Sequence, residues 1–151
     1  MTMQRYDARI FDLIPHRPPM LLINKIESVT QSASSALVYI DSDAPFYEPG
    51  LGVPAWIGLE YMGQTAALIA GYQLQQGLVS PHLGFLLGTR AFKAHCAYFT
   101  AGVLKVSCQQ QALVGEGLAT FKCIIENYAG EAEGGSCLAE ANLSVFRREI
   151  T

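Results

Sequence analysis

Hydrophobic and polar positions divide this chain into short alternating runs and one long, nearly continuous apolar stretch. A short amphipathic opening around Ile10, Phe11 and Leu13 ends at Pro18 and Pro19, which do not continue a helix. Two runs rich in β-formers come next, Leu21–Thr30 and Ser34–Asp41, separated by the polar turn Gln31–Ala33. Asp41–Gly52, with two prolines and two glycines, is a loop. The apolar stretch Pro54–Gln76 is the one long helix: Pro54 suits a first helical position, where its missing N–H leaves nothing unpaired, and no further proline occurs before Gln76. Gly77–Pro81 ends it, and four more strand-like runs complete the chain: His82–Lys93, Ala101–Gln111, Gly117–Tyr128 and Ser136–Arg148. The turns between the last three, Ala112–Gly117 and Ala129–Gly135, are hairpin-like. Leu104, Val106 and Cys108 alternate with Val103, Lys105 and Ser107, which predicts one covered and one wetter sheet face.

The order is two strands, a long helix and a meander of four strands. It predicts a single α+β domain, residues 1–151, with one antiparallel sheet wrapped around one long central helix. At about 1.5 Å per residue the helix runs roughly 34 Å, and its near all-round apolarity says that it is wrapped. Gly63, Ala66, Ala67, Ala70 and Gly71 recur at three- and four-residue spacings, a face without bulk that lets another element approach closely.

Composition changes the picture in one respect. Half of the residues are hydrophobic and only 15% are charged, so part of the surface is expected to be covered by another subunit. A net charge of -3 offers no field for a polyanion, which argues against nucleic acid as a partner. Glu60, Gln64 and several glycines interrupt the apolar stretches, so no membrane span is expected. The acidic opening does not read as a signal peptide. Cys96, Cys108, Cys123 and Cys137 are too widely spaced for a metal knuckle or a CxxC pair. They are expected to be buried free thiols in a reducing cytoplasm, with neither metal nor cofactor.

Glu60 is the candidate centre of chemistry. A lone carboxylate among alanine, leucine, isoleucine, glycine and aromatic residues is costly to bury unless it is paired or used.

Three segments together carry a family resemblance. Ile14–Val29, IPHRPPMLLINKIESV, resembles the opening LPHRYPFLLVDRV of the hot-dog fold 3-hydroxyacyl-acyl-carrier-protein dehydratases. PAWIGLEYMGQTAAL resembles their helix PGVLxxEAMAQ, and Phe85–Lys93, FLLGTRAFK, resembles their strand with a central glycine, here Gly88. The PAWIGLEYMGQ version is more similar still to the ApeP-like branch, associated with aryl polyene biosynthesis. The resemblance implies a hot-dog fold, a substrate carried on acyl carrier protein, and a dyad of histidine and carboxylate facing each other across a dimer interface. Glu60 matches the carboxylate. The histidine position falls on Phe46 or, after matching the proline–glycine pair, on Tyr47, and neither is histidine.

Dehydration of a 3-hydroxyacyl thioester needs a base for the α-proton, an acid for the departing hydroxyl and donors to the thioester carbonyl. Glu60 fills the second role once burial favours its protonated form, and the N–H groups of Ala55 and Trp56 at the helix start fill the third. Gln64, one turn beyond Glu60, can hold the carboxylate or a substrate amide; Tyr47 and Gly88 complete the expected substrate-binding set. His16, in the turn-forming PHR segment, is the one base candidate near a motif, while His82 and His95 read as surface histidines. Three functions stay open: a dehydratase, active alone as a homo-oligomer or as a heterodimer with a histidine-bearing hot-dog paralogue; an acyl-thioester hydrolase; and a non-catalytic hot-dog partner subunit.

Overall fold

The computed structural model describes residues 5–79, 82–115, 117–128 and 135–149. A four-residue helix α1 (Ile10–Leu13) precedes β1 (Lys25–Val29) and β2 (Ala33–Ile40). A two-residue β3 (Val53–Pro54) and a 3-10 turn, Ala55–Ile57, lead into α2 (Gly58–Gln75). Then come β4 (His82–Ala94), β5 (Tyr98–Phe99), β6 (Gly102–Val114), β7 (Leu118–Asn127) and β8 (Cys137–Glu149). The main sheet is antiparallel in the order β1-β2-β6-β7-β8-β4, and β3 pairs with β5.

The expected architecture is present, with three differences. The first concerns the start of strand one. Leu21–Asn24 lies outside β1, although Leu21, Leu22 and Ile23 are buried. Their backbone takes other partners: Leu21 N–H donates to Arg17 O, and Leu22 N–H to the side chain of Gln64. The run is apolar because it lies in the core, which periodicity alone does not distinguish from strand.

The second difference is that β4 is not part of a four-strand meander. It runs along β8 at the end of the strand order, so of these late strands β6, β7 and β8 form the meander. The third is that Pro54 belongs to β3, the helix entering through the 3-10 turn. Of the two hairpin turns, the first holds, with Val114 opposite Leu118 and Gly115 at φ 62; positions 129–134 of the second lie outside the described residues.

Helix α2 rests on the inner face of the sheet. Met62, Leu68 and Ile69 are fully buried against a core that includes Leu104, Val106, Ile125 and Leu143, while Val103, Lys105 and Ser107 are only half-buried, as the alternation predicts. Ser34 Oγ donates to the Thr65 carbonyl at 2.7 Å, tying β2 to mid-helix. The small-residue face is used in part. A Cβ on Gly71 would collide with the Leu13 backbone, so α1 sits directly on α2, whereas Gly63 faces open space. At the helix end, Gly77 (φ 70) and Leu78 donate to the carbonyls of Leu74 and Gln73, a Schellman cap that only a left-handed residue completes cheaply.

Candidate functional site

Glu60 lies in the first turn of α2 and is exposed in the single chain. The helix is therefore not wrapped on every side: the face carrying Trp56, Glu60 and Gly63 is open, and any burial of the carboxylate must come from outside this chain. Large apolar side chains are exposed around the same end of the helix, with Met20 at 68%, Trp56 at 65%, Phe46 at 55% and Leu51 at 49%.

Gln64 fixes Glu60. Its side chain is fully buried; Nε2 donates to Glu60 Oε2 at 3.0 Å and to Met20 O at 2.9 Å. Its Oε1 accepts from Leu22 N–H at 2.8 Å and Ile23 N–H at 3.4 Å. Because both its neighbours and its burial dictate which way the amide points, Gln64 presents a donor to the carboxylate.

His16 is brought to the same region by the PHR turn. Arg17 builds that turn by donating to the carbonyls of Phe11, Ile14 and His16 and stacking 5.0 Å over the Phe11 ring. The His16 ring is half-buried, and its Nδ1 is buried without a hydrogen-bond partner. Burial pushes its imidazole below the usual value, opposed by the negative charge of Glu60 and reinforced by Arg17. The two side chains thus lie within electrostatic reach of each other.

Phe46, one of the two positions expected for the family histidine, has φ 67, a left-handed conformation unusual for a phenylalanine. Its loop is pinned: Glu48 N–H donates to Gly52 O, Gly52 N–H returns to Glu48 O, and Tyr98 Oη donates to Glu48. Gly52 (φ 116) lies against the Phe99 backbone so closely that a Cβ would collide with it. Tyr47 is partly buried against the core, its N–H donating to Ala44 O.

The expectation of a free donor on Ala55 is corrected: Ala55 N–H donates to Ala97 O at 3.0 Å, because β3 and β5 bring that carbonyl to the helix entrance. Trp56 N–H, next in the turn, has no earlier helical carbonyl to bond. Gly88 lies on edge strand β4, exposed, with nothing within 4 Å of where a Cβ would stand. The side chain of His82 is outside the described set, and His95 is half-exposed beside Glu140. All four cysteines are free thiols, but Cys137 is exposed and Cys96 only partly covered, which corrects the expected burial of both. Among the described residues no helix is long and apolar enough to cross a membrane.

Known proteins resemble this chain in sequence and in fold. A curated relative, the 3-hydroxyacyl-[acyl-carrier-protein] dehydratase FabZ of Clostridium perfringens, is 29% identical over 109 residues, covering 72% of this chain and 69% of its own. Among solved structures, the dehydratase heterocomplex ApeI:P from Xenorhabdus doucetiae superposes with a TM-score of 0.77 at 23% identity, covering 93% of this chain and 91% of the other. A hypothetical thioesterase with coenzyme A from Streptococcus pneumoniae superposes at 0.62 with 11% identity over 83% and 85% of the two chains, a likeness of fold alone. The family model of the ApeP dehydratases matches residues 8–151, so the chain belongs to the ApeP-like dehydratase family.

Proposed function

We propose that this chain supplies the acid half of a composite site that dehydrates 3-hydroxyacyl groups carried on acyl carrier protein, the base being a histidine of a second hot-dog subunit. The observation that carries this reading is Glu60, held by Gln64 on an open face, with Phe46 and Tyr47, neither of them histidine, at the two positions where the family histidine would fall. The relatives' names and the heterocomplex support it. So do the exposed apolar side chains around the helix start, which offer a second subunit a surface to cover.

The chemistry divides between the two subunits. The histidine takes a proton from C2, and that C–H electron pair becomes the C2–C3 π bond. The C3–O bond breaks with its electrons on oxygen, Glu60 delivers a proton to that oxygen, and water leaves behind a trans-2-enoyl thioester. No net redox change occurs. Trp56 N–H, at the positive end of α2, donates to the thioester carbonyl as charge builds on it. Tyr47 and the space over Gly88 line the path of the acyl chain, which belongs to fatty-acid-like or aryl polyene synthesis. The free thiols suit a cytoplasmic setting.

A second reading rests on His16, whose unpartnered Nδ1 and nearness to Glu60 suit it to be the base within one chain. Assay of the purified chain alone on a 3-hydroxyacyl carrier-protein substrate separates the two. Absence of enoyl product is expected; full activity that His16→Gln abolishes places the base in this chain instead. Release of free acid without enoyl product would mark a thioester hydrolase.

A further inference from the structure

The sheet brings together three side chains that the sequence keeps far apart: His95, just beyond the end of β4, with Cys137 and Glu140 at the start of β8. We infer that His95 Nε2, Cys137 Sγ and a Glu140 carboxylate oxygen form a surface site for a thiophilic divalent cation of the zinc class.

The backbone places them there. Lys93 and Ala94 pair with Glu140 and Ala139, and His95 N–H donates to Leu138 O at 2.8 Å, so the histidine is carried onto β8 at a fixed register. Strand β8 is irregular at the same point: Ala139 stands opposite Ile125 and Cys137 opposite Glu126, which leaves Leu138 as an extra residue. Without that bulge, Cys137 and Glu140 would point to opposite faces. With it both project outward while Ala139 is fully buried between them, the way a bulge re-aims a side chain.

The spacing suits an ion. The three ligand atoms all lie within 4.8 Å of one another, and His95 Nε2 is 3.3 Å from Glu140 Oε2. Tetrahedral coordination with bonds of about 2.0–2.3 Å holds ligand atoms about 3.3–3.8 Å apart, so small side-chain rotations close the set. Thiolate with imidazole selects zinc-like ions over magnesium or calcium, and three protein ligands leave a fourth position for water. Glu126, paired with Cys137 across β7 and β8, adds a second carboxylate beside the site. An ion bound here clasps the exit of β4 to the entrance of β8.

The test uses the full chain, free of any tag and stripped with EDTA, titrated with Co(II). One equivalent is expected to bind with tetrahedral d–d bands and a thiolate-to-cobalt charge-transfer band, both displaced by Zn(II). Cys137→Ser should lose the charge-transfer band and His95→Ala should lose binding, while Cys96→Ser keeps both, with circular dichroism showing each variant folded. No uptake by the wild-type chain means that His95 and Glu140 form an ion pair only and overturns the site. A charge-transfer band that survives Cys137→Ser overturns it equally.

Discussion

Gln64 Nε2 donates to Glu60 Oε2 across 3.0 Å, and this one bond joins the core of the protein to the exposed carboxylate in the first turn of α2. The same amide holds the backbone of Met20 and Leu22, so the orientation of the carboxylate and the path of the chain before β1 depend on one buried side chain. Gln64→Leu is therefore expected to leave Leu22 N–H and Met20 O without partners. Urea denaturation should register a loss of about 2–4 kcal/mol, well beyond what an exposed helix position would cost.

Glu60→Gln should behave oppositely. The side chain is exposed in the single chain, so unfolding free energy should stay within about 0.5 kcal/mol of wild type. Enoyl formation by the active complex should fall by roughly 10²–10⁴, the usual contribution of a positioned acid.

His16 makes stability depend on pH. Burial sets its imidazole below the reference value of 6.5 in the folded chain, so on acidification the unfolded chain takes up the proton first. Its contribution is complete above pH of about 6.5 and is lost as pH falls toward the lower folded value. Denaturant midpoints of wild type should decline below the reference pH of 6.5 more steeply than those of His16→Gln.

Two glycines of α2 should respond with opposite signs. Gly71→Ala drives a methyl into the Leu13 backbone and should cost about 1–3 kcal/mol by thermal or urea melting. Gly63→Ala meets nothing in the single chain and should gain up to about 1 kcal/mol from helix propensity. If the open face is where a second subunit docks, the same change should weaken that association, read by analytical ultracentrifugation.

The helix, its glycine stop and the late strands could be read from the sequence because each depends on local periodicity or a single turn residue. Glu60 could be found because a carboxylate conflicts with its apolar setting. Features set at long range leave no such local mark. Leu21–Ile23 reads as strand until Gln64, on another element, is seen to take its amide hydrogen bonds. The edge position of β4 depends on how the chain returns across the sheet. Ala55 reads as a free donor because nothing near it in the sequence points to Ala97. The grouping of His95 with Cys137 and Glu140 likewise needs strand register and a bulge, neither of which leaves a compositional trace.

The central claim is that Glu60 acts with a histidine borrowed from another subunit. Its most direct test is enoyl formation on a 3-hydroxyacyl carrier-protein substrate by the complex of this chain with a histidine-bearing hot-dog partner, reconstituted with wild-type chain or with Glu60→Gln. The expected result is turnover with the wild-type chain and near-complete loss with Glu60→Gln, while both complexes assemble equally. Undiminished turnover with Glu60→Gln in an intact complex would contradict the claim and leave this chain a structural partner.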